Sequence, residues 1–342
     1  MIDFNVDLRS DTITIPTKGM LNAMMSANVG DDVWEEDYTV KDLEKKLASI
    51  FGMEAGLFCP SGTMTNQIAI RVHTKLGDQV ICDKLSHIYN YEGGGIASNS
   101  GVSVKLLQGD LGRISLQQVK ESINPDDPHY PRTKLISLEN TVNKGGGACY
   151  SIDSIFEMSN FCRNNNLVFH LDGARIFNAL VKTNQKPLDY GKSFDSISIC
   201  LSKGLGAPVG SVLLGSRDFI YESKRVRKSF GGGMRQVGYL AAAGIYALDN
   251  NVNRLKEDHD RAKIIYEKLC DCNYVESILP CETNIVIFEV SDLCMQSFCD
   301  SLDKNNIKYS LLGNKIRFVT HLNFTDEHLN KVVDVLTSFK LI

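Results

Sequence analysis

Three polar motifs of the sequence come directly after apolar segments, at positions where a β-strand would end. They are SGT at 61–63, Asp172 in HLDGAR and Lys203 in LSKGLG. In an open α/β sheet, ligands bind in the crevice at the carboxyl ends of the strands. We therefore expect the three motifs to meet in one site, although each of them also has an ordinary structural explanation.

The SGT stretch could hold a phosphate group. Gly62 permits close approach of the backbone, while Ser61 and Thr63 offer hydroxyls beside the free amides at the N-terminus of a helix. The same residue types also form plain helix caps, so this stretch alone is not specific for a phosphate.

Asp172 could hold a cationic ring nitrogen. A carboxylate at the end of a buried strand is costly unless it meets a cation, and a protonated pyridine nitrogen would be such a cation. Arg175, three residues later, would project toward the same crevice. An Asp–Arg ion pair or a turn would explain these two residues equally well.

Lys203 could act as a nucleophile. A lysine in a partly desolvated crevice has its neutral form favoured, and it can then attack an aldehyde and form a Schiff base. Ser202 precedes it, and glycines follow at 204, 206 and 210. A lone lysine after a strand is usually solvated. However, pyridoxal-phosphate (PLP) enzymes use an α/β sheet in this order: a phosphate-binding motif, then an aspartate, then a lysine. The sequence therefore predicts pyridoxal 5'-phosphate as the cofactor.

The elements around these motifs alternate between helices and short apolar strands. An amphipathic helix is predicted over residues 39–52, capped by Thr39 and ended by Gly52. The apolar runs that follow, as far as GSVLLG at 210–215, predict a mostly parallel sheet covered by helices on both faces.

After about residue 245 the pattern changes. A long charged helix leads to two or three strands with helices on one face, and the closing helix begins at Thr325. We therefore predict a large domain at 1–250, which includes the N-terminal segment, and a small C-terminal α+β domain at 251–342.

Composition and charge argue against several classes of protein. The formal net charge of -4 over 342 residues gives no reason to expect nucleic acid or an anionic membrane as a partner, and no apolar run is long enough to span a bilayer. The ten cysteines lack the spacing of a zinc site or a disulfide scaffold, and the acidic stretch at 31–37 is typical of a solvated loop. We expect reduced thiols, no metal and a cytoplasmic location.

The same motifs run in the order found in a known family. The chain resembles the low-specificity L-threonine aldolases in DLRSDT, SGTMTNQIAI, ISLENT, HLDGARIFNA, SKGLGAPVGS, GGGMRQ and RFVTH. The resemblance extends from residue 7 to about residue 322. It implies a fold-type I (aspartate aminotransferase-like) PLP enzyme that cleaves L-threonine or L-allo-threonine, by a retro-aldol reaction, to glycine and an aldehyde.

The resemblance also implies how the cofactor is bound. Lys203 would form the Schiff base, Asp172 would keep the pyridine nitrogen protonated, and His87 would stack on the ring. Arg235, together with Lys228, would help at the cofactor phosphate and could do so across a subunit boundary. The implied cofactor-binding residues are Lys203, Ser202, Gly62, Thr63, His87, Asp172, Arg175, Arg235 and Lys228.

The substrate side of the site is implied in the same way. Ser10 and Arg317 match the pair that grips the substrate carboxylate, and Arg175 would bond either that carboxylate or the ring's 3-oxygen. His87 or His129 would be the catalytic base, because the pKa of histidine lies near working pH. Enzymes of this fold build the active site at a subunit interface, so a homodimer or homotetramer is implied.

Two other functions remain open at this point. A PLP-dependent β-eliminating lyase that acts on another amino acid would share the fold, and it would release a keto acid and ammonia. A catalytically idle PLP-binding protein would keep Lys203 but would lose residues around the substrate, whereas Ser10, His87, Arg175 and Arg317 are all present. The segment VWEEDYT at 33–39 departs from the family pattern, which leaves the preferred β-substituent open.

Overall fold

The structure is a computed structural model that describes residues 6–340. Its strands are β1 (Val6–Asp7), β2 (Ala55–Cys59), β3 (Gln79–Asp83), β4 (Ser103–Leu107), β5 (Thr133–Glu139), β6 (Val168–Asp172), β7 (Ser196–Cys200), β8 (Ser211–Gly215), β9 (Val275–Ile278), β10 (Ile285–Val290), β11 (Ile307–Lys308), β12 (Ser310–Leu312) and β13 (Lys315–Val319). Its α-helices are α1 (Lys18–Met25), α2 (Tyr38–Phe51), α3 (Gly62–His73), α4 (His87–Asn90), α5 (Gly95–Ser100), α6 (Leu116–Ser122), α7 (Ile152–Asn164), α8 (Ile176–Thr183), α9 (Pro187–Ser193), α10 (Arg217–Ser229), α11 (Gly238–Asn250), α12 (Leu255–Cys270), α13 (Met295–Lys304) and α14 (Asp326–Ser338).

The larger sheet has seven strands in the order β2-β8-β7-β6-β5-β3-β4. Every pairing is parallel except those of β8, which runs antiparallel to both of its neighbours. This confirms the mostly parallel sheet expected from the sequence. The register places Asp172, the last residue of β6, beside Glu139 of β5 and Ser198 of β7. The strand ends of β5, β6 and β7 therefore form one edge.

Helices cover both faces of this sheet, which is why its strands are apolar along their whole length rather than on alternate residues. Leu57 of β2 and Leu213 of β8 pack with Ile68 of α3. The alternate residue Phe58 packs on the opposite face, in the core that contains Leu43 of α2. The core that contains Ile68 holds α3 against one face of the sheet, and α3 carries the SGT motif at its start.

The smaller sheet is antiparallel, with the order β12-β13-β10-β9. It has four strands, although the sequence predicts two or three. The segments VESI and SLL were missed because they are short, and their half-exposed residues give little apolar signal. Phe288 and Phe318 of the two central strands lie in its buried core.

The first described residues join this smaller unit, although the sequence assigns the N-terminal segment to the large domain. β1 pairs in parallel with β11, and Val6 and Leu8 pack in the smaller core. Helix α12 contributes Leu255 to the larger core and Ala262 to the smaller one. The boundary near residue 250 stays a prediction.

Helix α2 confirms the predicted helix but not its cap. Asp37, rather than Thr39, is the N-cap, and its carboxylate accepts hydrogen bonds from the backbone N–H groups of Val40 (3.2 Å) and Gly238 (2.8 Å). Gly52 ends the helix as expected, with φ of 65°. The difference arises because Asp37 also binds a segment two hundred residues away, a contact that local sequence does not reveal.

Candidate active site

Asp172, the last residue of β6, is buried at the edge formed by the strand ends. Its Oδ1 accepts a hydrogen bond from the backbone N–H of Ala174 (3.1 Å), and its Oδ2 accepts one from Nδ2 of Asn66 (3.0 Å). Within residues 6–340 it forms no ion pair with a lysine, arginine or histidine. A buried carboxylate without a cation is costly, so this position fits the protonated ring nitrogen of PLP.

The start of α3 fits a phosphate group. Ser61 caps the helix by accepting a hydrogen bond from the backbone N–H of Met64 (3.2 Å), which leaves the amides of Gly62 and Thr63 without an intrahelical acceptor. A Cβ on Gly62 would lie 2.5 Å from Sγ of Cys200. Only glycine therefore lets the helix begin against the end of β7, close to the lysine that follows this strand.

Lys203 lies in the turn after β7 and is half-buried. Its carbonyl oxygen accepts hydrogen bonds from Oγ1 of Thr14 (3.0 Å) and from the backbone N–H of Gly206 (2.8 Å). The positive charge of Lys203 helps to lower the pKa of the buried Asp11, so the two side chains are close enough to interact. Gly206 has φ of 81°, a conformation that favours glycine. Ser202, also half-buried, is the residue directly before Lys203.

His87 begins α4 and is held from two sides. Its backbone N–H donates to Oε2 of Glu139 (2.7 Å), and its Nδ1 lies 2.9 Å from Oε1 of Glu92. Burial alone would lower the pKa of His87, but the hydrogen bond to Glu92 and the negative charges of Asp172 and Glu92 outweigh burial and raise it. Burial and the charge of Asp172 also raise the pKa of Glu139, to about 7. The imidazole is thus fixed beside the proposed cofactor position.

Arg317 and Arg175 converge on one amide. Nη1 of Arg317 donates to Oδ1 of Asn143 (2.9 Å), and Nη1 of Arg175 lies 3.4 Å from the same oxygen. Nε of Arg317 is buried and has no hydrogen-bond partner in the described chain. Burial and the neighbouring charge of Arg175 lower the pKa of Arg317. An incoming carboxylate would remove this repulsion and would satisfy the free N–H.

Ser10 lies in the N-terminal segment next to Asp11, which binds Arg175. Oγ of Ser10 accepts hydrogen bonds from the backbone N–H of Thr12 (3.2 Å) and from its hydroxyl (2.9 Å). Nε and Nη2 of Arg175 both donate to the carboxylate of Asp11, each at 2.7 Å. Arg175 is therefore largely occupied by Asp11, and Arg317 is the more available of the two guanidinium groups.

Known proteins resemble this chain over nearly its whole length. The family model for beta-eliminating lyases matches residues 7–292. The low specificity L-threonine aldolase of Escherichia coli strain K12 is 42% identical over 328 residues, which cover 96% of this chain and 97% of the relative. The chain belongs to the low-specificity L-threonine aldolase family. Low-specificity L-threonine aldolase 1 of Arabidopsis thaliana, another relative, is 40% identical and covers 95% of this chain and 93% of its own length.

Solved structures support the fold of this family. The threonine aldolase of Leishmania major superposes with a TM-score of 0.84 at 20% sequence identity, covering 97% of this chain and 98% of that protein. A putative L-allo-threonine aldolase from Listeria monocytogenes superposes with a TM-score of 0.81 at 22% identity, covering 98% and 96%. At these identities the comparison shows the fold alone.

The histidine expected as a second base of this aldolase-family chain lies away from the site. His129 is exposed, and its Nδ1 lies 2.7 Å from Oδ1 of Asp127. It precedes Thr133, which begins β5, whereas Glu139 at the other end of β5 lies beside Asp172. Within one chain, therefore, His129 sits at the opposite end of the sheet from the site. A catalytic role for it would require a second copy of the chain.

Lys228 and Arg235, predicted at the cofactor phosphate, flank a glycine-rich loop near the start of α3. Nη1 of Arg235 pairs with Asp31 at 2.8 Å, and its side chain is exposed. The loop between the two residues approaches α3, because a Cβ on Gly232 would lie 2.2 Å from Sδ of Met64. No described contact joins either residue to Lys203, and their phosphate role stays a prediction.

Several site residues of this family member were not found from the sequence. Asn66 and Glu92 connect Asp172 to His87, and Glu139 binds the backbone of His87. Asn143 connects the two arginines, and Asp11 binds Arg175. They lie within or beside the quoted motifs: Asp11 is in DLRSDT and Asn66 is in SGTMTNQIAI. The burial of Asp11, Asn66, Glu92 and Glu139 was the missing signal, since buried polar residues normally have a specific partner.

A cluster of possible metal ligands lies in the same place. The ligand atoms of His87, Glu92 and Asp172 all lie within 4.8 Å of one another. However, Nδ2 of Asn66 donates both to Asp172 and to Oε1 of Glu92 (2.9 Å), so oxygens of both carboxylates already accept hydrogen bonds. The cluster suits a cationic N–H group better than a metal ion. The absence of a metal from the reaction stays a prediction.

The buried Asp11–Arg175 pair should contribute strongly to stability. Asp11→Asn is expected to lower the free energy of unfolding by about 3–5 kcal/mol, because it leaves the arginine buried without its counter-charge. The pKa of Asp11 is lowered to about 2, since Arg175 outweighs burial. A depressed carboxyl pKa stabilises the fold above the unfolded value, so the difference between wild type and variant should shrink as the pH falls from about 4 through about 2.

This prediction is checked by urea unfolding of wild type and variant over that pH range. Asp7→Asn is the matched control, because Asp7 pairs with the half-exposed Arg9 at the surface. It should cost no more than about 1 kcal/mol. Equal losses of unfolding free energy in the two variants would contradict the strong contribution assigned to the buried Asp11–Arg175 pair.

Proposed function

We propose that this protein is a PLP-dependent lyase that cleaves L-threonine and L-allo-threonine to glycine and acetaldehyde. The observation that carries the proposal is the buried Asp172, which has no cation partner in the described chain and lies at the same edge as Lys203 and the start of α3. Membership of the threonine aldolase family supports the same reaction. PLP, when bound, would supply an aldehyde for the Lys203 amine and a ring that accepts electrons from the breaking bond.

The chain's own residues would bind the substrate by its carboxylate. Arg317 would donate from Nε, which is unpartnered, while Asn143 and the carbonyl oxygen of Arg9 hold its two Nη atoms (each 2.9 Å). Arg175 and Ser10 would complete this pocket. Fixing the carboxylate at one side of the site would leave the Cα–Cβ bond only a narrow range of orientations, which favours its cleavage.

His87 is the residue best placed to move the proton. In the reaction, the β-hydroxyl loses its proton as the Cα–Cβ bond breaks and the aldehyde carbonyl forms, and Cα then gains a proton to give glycine. Because a carboxylate only accepts, Glu92 fixes a proton on Nδ1 of His87 and leaves Nε2 as the acceptor of the neutral ring. The raised pKa of His87 increases its proton affinity, which suits a general base.

Product analysis tests the proposed reaction. The purified protein, supplied with PLP and L-threonine, is expected to release glycine and acetaldehyde in equal amounts, and removal of PLP should abolish the release. A β-eliminating lyase would instead give a keto acid and ammonia. Release of a keto acid and ammonia without glycine would overturn the proposed aldol cleavage while leaving the cofactor site intact.

Arg317 should affect substrate binding more than turnover. Arg317→Gln is expected to raise KM for L-threonine by about 10- to 100-fold, because a hydrogen-bonded charge pair to the carboxylate is lost. Steady-state kinetics with wild type and variant measures the change. Lys315→Gln, two residues earlier on β13, is the matched control and should leave KM within about twofold. An unchanged KM in Arg317→Gln would contradict the carboxylate pocket.

We also propose a homodimer or homotetramer in the cytoplasm. Large apolar side chains are exposed close together in the sequence, among them Met25 (81% exposed), Trp34 (73%) and Tyr38 (64%), and such surfaces favour association. All ten cysteines are free, which agrees with a reducing compartment. Within residues 6–340, no helix is long and apolar enough to cross a membrane.

A further inference from the structure

A line of hydrogen-bonded side chains runs between α3 and the sheet, from Asp172 at the site to the opposite end of the strands. Asn66 donates to Asp172, and its Oδ1 lies 3.1 Å from Nε2 of His170. Nδ1 of His170 lies 2.8 Å from Oγ of Ser196, and the same oxygen lies 2.9 Å from Nε2 of His73. Asn66, His170 and Ser196 are each at most 1% exposed.

The geometry of the elements explains this alignment. Asn66 and His73 are seven residues apart on α3, which is two turns, so they share one face of the helix. His170 and Asp172 alternate on β6 and therefore face the same side of the sheet. The ring of His73 also stacks on Phe219 at 4.2 Å, which fixes the far end of the line.

The two carboxylates fix the direction of every hydrogen bond in this line. Asn66 must donate from Nδ2 to both Asp172 and Glu92, since carboxylate oxygens only accept. Its Oδ1 then accepts, so His170 carries its proton on Nε2. In the neutral ring Nδ1 accepts from the hydroxyl of Ser196, and that hydroxyl accepts from His73. Burial lowers the pKa of His170 to about 4 and that of His73 to about 3, which keeps both rings neutral.

We propose that His170 is a positioning residue for the cofactor, which holds the amide of Asn66 in the one orientation that supports Asp172 against the ring nitrogen. This rests on the function proposed above. Without the N–H of His170, Oδ1 of Asn66 would be a buried acceptor without a donor, and the side chain of Asn66 could move away from the two carboxylates to find one. The carboxylate of Asp172 would then lose its donor and shift from the position that the cationic ring requires.

If these hydrogen bonds served only to satisfy buried polar groups, their loss would lower the stability of the fold. It would have no specific effect on the binding of the ring nitrogen. The two roles are separated by measuring the Kd of the apo-protein for PLP and for the PLP analogue in which carbon replaces the ring nitrogen. The analogue has no N–H for Asp172. An effect of His170 that acts through Asp172 should therefore appear with PLP and disappear with the analogue.

The test variant is His170→Phe, which fills the space but removes both ring nitrogens. We expect the Kd for PLP to rise about tenfold and the Kd for the analogue to change by less than about twofold. His170→Gln, whose amide can still donate to Asn66, should recover most of the affinity for PLP. The control is His259→Phe, because His259 is another buried histidine bonded to an asparagine oxygen, Oδ1 of Asn178 (3.0 Å). It should not discriminate between the two ligands.

Equal weakening of both ligands by His170→Phe would overturn the positioning role. If His170→Phe does not fold, Ser196→Ala takes its place, since it removes only the hydroxyl that donates to His170 and should give a smaller loss with the same selectivity for PLP. Equal Kd changes for both ligands in Ser196→Ala would overturn the role equally. Failure of the wild-type protein to bind PLP at all would instead overturn the proposed function.

Discussion

Lys203→Ala is expected to lower kcat/KM for L-threonine by more than about a thousandfold, since the variant loses the amine that would bind the cofactor covalently. The visible absorbance band of the lysine-bound cofactor should disappear in the same variant. The structure supports the assignment because Lys203 lies in the turn after β7 and its charge acts on the buried Asp11. Steady-state kinetics and an absorbance scan of the two proteins measure both effects.

The control for this prediction is Lys256→Ala. Lys256 lies on α12, is exposed and pairs with Asp260 four residues later. Its replacement should leave both the band and the activity unchanged. Retention of full activity by Lys203→Ala would show that another residue holds the cofactor, and it would refute the assigned role of the strand-end lysine.

Asp172→Asn is expected to lower kcat by about a hundredfold or more and to weaken PLP binding. The change keeps the size of the side chain but removes the negative charge that would hold the ring nitrogen protonated. The new amide would also face Nδ2 of Asn66, which now donates to Oδ2 of Asp172. Kinetics at saturating PLP separates the loss in kcat from the loss in cofactor affinity.

Asp153→Asn serves as its control. Asp153 is an exposed acid in the first turn of α7, and its replacement removes one negative charge from the surface rather than from the buried edge of the sheet. It should leave kcat within about twofold. If Asp172→Asn behaved like this control, the buried carboxylate would have no part in the chemistry, and the observation that carries the proposed function would lose its meaning.

The strand-end motifs could be predicted from the sequence because each of them is local. An apolar run followed by Asp172 or Lys203 defines both the strand and the edge at which the side chain appears, and a parallel sheet brings such edges together. The seven-stranded sheet confirms this inference. Gly62 was also found locally, since a small residue after a strand and before a helix indicates close backbone approach.

The support of those residues could not be predicted, because it depends on contacts between distant parts of the chain. Asp11 binds Arg175, which lies 164 residues later, and Asn66 binds Asp172, which lies 106 residues later. No local pattern distinguishes such buried acids and amides from surface ones. His129 shows the opposite problem, since its residue type suits a base but the structure places it at the far end of β5.

The chemistry of Lys203 can be tested directly by reducing the protein with borohydride in the presence of PLP and digesting it. Reduction makes the bond between the cofactor aldehyde and a lysine amine permanent, so mass spectrometry of the peptides identifies the lysine. We predict that the added mass lies on the peptide that contains Lys203. A cofactor mass on a different lysine, such as Lys228, or on no peptide at all would contradict the central claim.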